Sequence, residues 1–241
     1  IDKHIEHIIN EKVPIVFSSA GNPAKYTSVL KEAGIIVVHV VANKKFALKA
    51  EQAGCDAIVA EGFEAGGHNG REETTTMCLI PMIKDKVSIP VIAAGGIGSG
   101  KAMAAAMALG ADGVQMGSRF AATFESSAHE AFKSEIIKAD EGATQLTLKE
   151  VTPVRLIKNK FYGDVQEAYD RGASREELIQ LLGRGRAKKG MFEGDLQEGE
   201  LEIGQVSAQI SAMKTAEEVV KETWKEFQLT CTSLSRFSNF D

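Results

Sequence analysis

The stretch Pro90-Val-Ile-Ala-Ala-Gly-Gly-Ile-Gly-Ser-Gly100, then residues 101–110, then Ala111-Asp-Gly-Val-Gln-Met-Gly-Ser-Arg119, decides the fold. Proline is tolerated at the first position of a strand, and Val91-Ile92-Ala93-Ala94 is continuously apolar, as in a strand buried on both faces. Gly95 and Gly96 follow at once, and such a pair lets a ligand approach the backbone. Ser99 caps a helix over residues 101–109, built mostly of Ala and Met and stopped by Gly110. A second buried strand, 113–116, runs into Gly117-Ser118. Two consecutive strands therefore end in small-residue loops. In a barrel of parallel strands the loops after the last two strands form a frequent phosphate site, where backbone N–H groups and a helix N-terminus hold the anion. The other reading is that the glycines only make tight strand-to-helix turns. The recurrence of the loops one βα unit apart favours phosphate.

Upstream, the pattern repeats. Ile5, Ile8 and Ile9 have helical spacing, so residues 1–12 read as the end of a helix. Strands are expected at 13–17, 35–41 and 57–60, and helices at 26–33, 45–53 and 75–84. Ala33-Gly34-Ile35, Ala53-Gly54-Cys55-Asp56-Ala57 and Leu109-Gly110-Ala111-Asp112-Gly113 each close a helix on Gly and re-enter a strand. Repeated short helix-to-strand turns imply βαβ units and a parallel sheet. The expected fold is α/β, a TIM-type (β/α)8 barrel. Such a barrel has eight strands, and five are legible here. With the last two as strands seven and eight, three would precede Ile1, making this the C-terminal part of a longer protein. A complete open sheet of five strands is the alternative.

After residue 124 the character changes. Residues 125–195 are charged and helical, broken at Gly183-Arg184-Gly185-Arg186 and Lys188-Lys189-Gly190, with no convincing strand pattern. This predicts four parts: barrel over 1–124, a small helical second domain over 125–200, helices packing back on the barrel over 201–228, and an irregular tail over 229–241. Within the third part, 206–213 and 216–227 read as helices.

Of the 241 residues 44% are hydrophobic and 25% charged, which is ordinary for a globular chain. A net charge of −5 argues against nucleic acid as the main partner. No apolar run approaches a membrane span and no signal peptide opens the chain. Cys55, Cys78 and Cys231 are scattered without metal spacing, so no metal site is expected. They read as packing residues in a reducing, cytoplasmic setting.

The loop Glu61-Gly-Phe-Glu-Ala-Gly-Gly-His-Asn-Gly70 follows a predicted strand, on the edge where such barrels keep their catalytic residues. His68 is flanked by small residues and is not placed for helix or strand packing. It is the side chain of this loop suited to proton transfer near neutral pH. A surface histidine bonded to its own loop is the alternative. Glu61 suits hydrogen bonds from ribityl or ribose hydroxyls, or is simply a solvated carboxylate. His39, in an apolar strand, reads as a satisfied core histidine. His4, His7 and His129 sit in polar helical settings and receive no role.

Three segments together, the loop 61–70, Ile92-Ala-Ala-Gly-Gly-Ile97, and Gly110-Ala-Asp-Gly-Val-Gln-Met-Gly-Ser-Arg-Phe120, resemble the nitronate monooxygenase family, formerly called 2-nitropropane dioxygenases. That family includes the closely similar flavin-dependent enoyl-acyl-carrier-protein reductase II. The resemblance runs to about Phe227 and takes in Gly204-Gln205. Phe63 and the context of Pro81 look more like the monooxygenase branch. The resemblance implies an FMN-dependent barrel with a helical second domain. It gives the FMN phosphate to Gly95, Gly96, Gly117 and Ser118. It sets Glu61, Ala65 and Gly66 along the flavin and Ala94 beside it, with His68 at the substrate side. The family's Gly-Gly-Met segment after its first strand has no counterpart here.

Three activities follow as expectations. The first is FMN-dependent oxidation of a small-molecule alkyl nitronate to a carbonyl compound and nitrite. The second is reduction of an enoyl thioester by NAD(P)H through FMN. There an acidic acyl carrier protein would dock on Lys158, Lys160, Arg184, Arg186, Lys188 and Lys189. The third is a flavin-free barrel that binds a phosphate ligand. A homodimer is one expectation for its assembly.

Overall fold

The computed structural model describes residues 2–239. In chain order the elements begin α1 (Asp2–Asn10), β1 (Ile15–Ser18), α2 (Thr27–Glu32), β2 (Ile36–Val41), α3 (Lys44–Gln52) and β3 (Ala57–Glu61). Next come β4 (Gly67–His68), α4 (Thr76–Lys84), β5 (Val91–Ala94), α5 (Gly100–Ala108), β6 (Gly113–Gln115) and α6 (Ser118–Ala121). The chain continues through α7 (Glu130–Lys138), β7 (Thr144–Thr147), β8 (Val154–Ile157), α8 (Lys160–Asp170), α9 (Arg175–Leu182), α10 (Arg186–Met191) and α11 (Ala216–Ser235). Two compact units form. The first takes residues 1–62, 72–94 and 105–115; the second takes 63–71, 95–104 and 116–241.

The first unit is a five-stranded parallel sheet in the order β1-β2-β3-β5-β6. Strand identity follows from β-branched apolar runs bounded by Gly and Pro. The recurring helix-Gly-x-Asp-strand turn has a shared physical cause. Asp56 accepts from the amide of Val37 at 2.9 Å and pairs with Lys31 at 2.6 Å. Asp112 does the same two units on, accepting from the amide of Val91 at 2.8 Å and pairing with Lys84 at 2.6 Å. Each aspartate thus fastens the turn that enters its strand to the start of the neighbouring strand. Leu79, Ile80 and Ile83 of α4 are fully buried, as are Ile58 and Val59 of β3. His39 is buried with its Nδ1 2.8 Å from Ser18 Oγ, and burial lowers its pKa, as a satisfied core histidine requires.

The second unit corrects the expectation that residues 125–195 hold no strand. β8 pairs antiparallel with β7 and with β4, giving the sheet β4-β8-β7. All four residues of β8 are buried, which hides the period-2 alternation of a half-exposed strand. Arg155, in its middle, breaks the apolar run by which a buried strand is otherwise recognised. Phe132, Ile136, Leu201 and Ile203 form one core here, and Leu148, Leu156, Phe161 and Val165 another.

Two helix expectations also change. Residues 205–209 make a short 3-10 segment, not a helix over 206–213. The last helix does not end near Phe227 but continues to Ser235, with a further 3-10 turn over Arg236–Asn239. A Thr215–Glu218 capping box starts it. The hydroxyls of Thr230, Thr232 and Ser235 bond back to carbonyls three or four residues earlier, which satisfies them within the helix. Ile1 and the last part of the expected tail, 240–241, lie outside the described residues. Cys55 is buried, whereas Cys78 and Cys231 are exposed and are not packing residues. Among the described residues no helix is long and apolar enough to cross a membrane.

Candidate active site

In the first unit, Glu61 ends β3 directly opposite Ala94, the last residue of β5. The Ala94 carbonyl accepts from the amide of Gly62 at 2.9 Å and from Thr76 Oγ1 at 3.2 Å, which fixes this strand end. Burial pushes the Glu61 carboxyl up to about 7, so near neutrality it both donates and accepts hydrogen bonds.

In the second unit the loop 63–71 is fastened at several points. Arg155 donates from Nε and Nη2 to the Phe63 carbonyl at 3.2 and 3.0 Å, and its guanidinium lies 4.5 Å from the Phe63 ring centroid. Gln205 donates its amide to the Glu64 carbonyl at 2.9 Å. Asn69 donates its amide to Pro153 and its side chain to Ala65 and Gly67. Arg71 donates to the carbonyls of Lys149 and Val151. The loop is therefore rigid at both ends of the short strand β4, and His68 stands exposed upon it.

Gly66 and Gly67 are glycines for different reasons. A Cβ on Gly66 would overlap the backbone of Ile203 and Gly204. Gly67 has φ +75°, and a Cβ there would lie 2.8 Å from Glu202 Oε2.

Gly204 is the junction of the expected phosphate residues. Its amide donates to Ser118 Oγ at 2.9 Å. A Cβ on it would stand 2.8 Å from the Glu64 carbonyl oxygen and 3.2 Å from the Gly66 amide nitrogen. Gly96, at φ +70°, in turn packs within 3.3 Å of the Glu64 Cβ. Gly66, Gly96 and Ser118 thus gather around Glu64 and Gly204, with Ala65 between Glu64 and Gly66 in the chain and Gly117 beside Ser118.

The glycines of 95–100 do not share one task. Gly98 packs on Val206 and Gly100 on the backbone of α11, so close packing calls for glycine at both. The N-terminus of α5 already has its anion: Gly100 donates to Glu226 Oε2 at 2.7 Å, and Ser99 Oγ accepts from Ala102. A phosphate held by a helix end here would therefore use the start of α6 at Ser118 rather than that of α5. The amides of Gly96, Gly117 and Ser118 make no hydrogen bond among the described residues. A Cβ on Gly117 would meet nothing within 4 Å. These donors and this open space are what a phosphate needs.

Sequence reasoning missed Arg155, Glu200 and Glu202. Burial raises both carboxyls: Glu200, near Glu202, to about 7, and Glu202 in a direction that the nearby His68 opposes. His129 caps α7 through Nδ1. Lys160, Arg186, Lys188 and Lys189 each face a carboxylate, Glu198, Glu198, Glu193 and Asp195 in turn.

Residues 1–226 match the family described as nitronate monooxygenase. The chain belongs to this family. A probable nitronate monooxygenase of Staphylococcus aureus is 42% identical over 153 residues, which are 60% of this chain and 43% of that relative. The chain thus spans less than half the length of the curated relatives it matches. FabK from Thermotoga maritima superposes with a TM-score of 0.91 at 40% identity, covering 98% of this chain and 75% of that one. The nitroalkane oxidase of Streptomyces ansochromogenes gives a TM-score of 0.79 at 28% identity, covering 97% and 69%. The parallel sheet of the first unit is accordingly of the barrel type shared by these nitronate monooxygenase relatives.

Proposed function

We propose that the protein is an FMN-dependent oxidoreductase that converts alkyl nitronates, with dioxygen, to a carbonyl compound and nitrite. One observation carries the reading: His68 is exposed on a pinned loop whose Glu64 packs against Gly96 and whose Gly66 abuts Gly204, the residue that donates to Ser118 Oγ. In this reading the proton-handling side chain and the phosphate-binding loops rest on neighbouring residues. In this reading Gly95, Gly96, Gly117 and Ser118 hold the FMN phosphate, Ala65 and Gly66 line the flavin, and Ala94 lies beside it. Glu61, whose carboxyl burial pushes up to about 7, bonds a ribityl hydroxyl. The electron and oxygen chemistry is what a bound flavin supplies. His68 orients the anionic nitro group, or removes the α-proton of a neutral nitroalkane at its free ring nitrogen. Replacing His68 by Ala is expected to lower nitronate turnover by about a hundredfold or more.

A second reading is an NAD(P)H-dependent enoyl-thioester reductase. The FabK likeness favours it, since at 40% identity it exceeds the nitroalkane oxidase at 28%. The carboxylates facing Lys160, Arg186, Lys188 and Lys189 speak against the expected docking patch for an acidic carrier protein. The setting we propose is cytoplasmic, in keeping with three free cysteines. An anaerobic titration separates the readings. With FMN bound, bleaching by a nitronate and not by NADPH supports the monooxygenase. Rapid bleaching by NADPH supports the reductase. A protein that ignores FMN overturns both.

A further inference from the structure

The edge of β8 opposite β7 is shared by two segments. Val154 and Arg155 pair with His68 and Gly67, while Leu156 bridges to Glu202 in the same antiparallel sense. The amide of Ile157 also donates to the Leu201 carbonyl at 2.9 Å. The strand β4 and the segment around Glu202 therefore abut along one edge. Residues paired directly opposite one another point to the same face of a sheet, and Val154 and Leu156 are two apart. His68 and Glu202 consequently project to one face, roughly 7 Å apart along the strand direction. Gly67, between them, has no side chain, and Glu202 Oε2 occupies the space that a Cβ would fill. The Glu202 carboxyl makes no hydrogen bond among the described residues.

We propose that Glu202 is the charge partner of His68, a positioning residue whose carboxylate sits over Gly67 and supplies the negative charge facing the imidazole. The inference rests on the reading of His68 as the residue at the reacting group. Its charged surroundings are few: Glu200 two residues away on its own segment, Glu64 in the packed loop, His68 on β4, Arg155 on β8, and Arg186 toward Glu200. Arg155 is directed at the Phe63 carbonyl, and Arg186 at Glu198 and the carbonyls ending α9. The His68 imidazole acts on the Glu202 carboxyl in the opposite direction to burial, lowering it.

The test is carboxyl 13C NMR of the protein, with and without FMN, with the Glu202 resonance identified by its loss in Glu202→Gln. In His68→Asn the Glu202 titration is expected to move up by about half a pH unit or more. An unmoved titration overturns the proposal. Because His68 is exposed, this variant keeps the fold even where Glu202→Gln does not. With FMN bound, Glu202→Gln is expected to displace the pH profile of kcat/KM, not merely scale it. A profile lowered by a constant factor at every pH marks a purely structural role and also overturns the proposal. Should His68→Asn turn over nitronate normally, the functional reading fails, while the carboxyl titration still decides this one.

Discussion

Gly204 donates its amide to Ser118 Oγ at 2.9 Å and has no room for a side chain, since a Cβ would stand 3.0 Å from that same oxygen. Its φ of −80° suits any residue, so crowding alone selects glycine. Gly204→Ala is expected to destabilise the protein by about 1–3 kcal/mol and to loosen the Gly66 and Ser118 loops together. Urea unfolding measures the first effect and FMN retention on gel filtration the second.

Gly117 is the counterpart, because a Cβ there meets nothing within 4 Å. Gly117→Ala is expected to leave the unfolding free energy within about 0.5 kcal/mol of the parent. If phosphate sits over Gly117, the added methyl group weakens FMN binding by about tenfold or more, roughly 1.4 kcal/mol. Fluorescence titration with FMN reads this. Unchanged affinity would move the phosphate elsewhere.

Arg155 is 2% exposed and donates twice to the Phe63 carbonyl. Arg155→Met keeps volume but leaves that carbonyl without its donors, at a cost of about 2–4 kcal/mol. Since the same contact holds the start of the His68 loop, faster amide exchange over residues 63–69 is expected beside the lower midpoint.

How legible all this was depended on periodicity. The parallel strands of the first unit announced themselves, because β-branched runs recur at even spacing between Gly-Asp turns. The antiparallel strands did not, since Arg155 breaks the apolar run of β8 and burial removes its alternation. The loop 61–70 and the glycines at 95, 96 and 117 were recognisable because small residues bunch there. Glu202 carried no local signal: its meaning comes from a bridge to Leu156, 46 positions earlier in the numbering. Likewise, the sequence showed a glycine at position 100 but not that Glu226 occupies the helix end it opens.

Stability should fall with rising pH through a window set by buried carboxyls, Glu61 and Glu200 together with Glu202, which burial raises in the same direction. Glu61 and Glu200 are each raised from 4.5 to about 7 by burial. Below the lower value both are protonated, folded or unfolded. Between the two values the folded chain keeps protons that the unfolded chain releases, so folding weakens as pH rises and levels off above about 7. The loss is at most about 3.4 kcal/mol for each group. In Glu200→Gln the urea midpoint should drop less between pH 5 and pH 8 than in the parent. An identical drop would show that Glu200 ionises normally.

Gly100 tests how α11 is attached. A Cβ there would overlap the backbone of Thr223 and Phe227, which no side-chain rotation relieves. Gly100→Ala must therefore push α11 away and break the bond from the Gly100 amide to Glu226. A loss of about 3 kcal/mol is expected. Glu226→Gln, which keeps an acceptor but removes the charge from the start of α5, should cost only about 0.5–1 kcal/mol. Amide exchange in α11 separates the cases: it should quicken along the helix in Gly100→Ala and stay near the parent rate in Glu226→Gln. Equal exchange in both variants would mean that the charge, and not the close backbone approach, holds the helix.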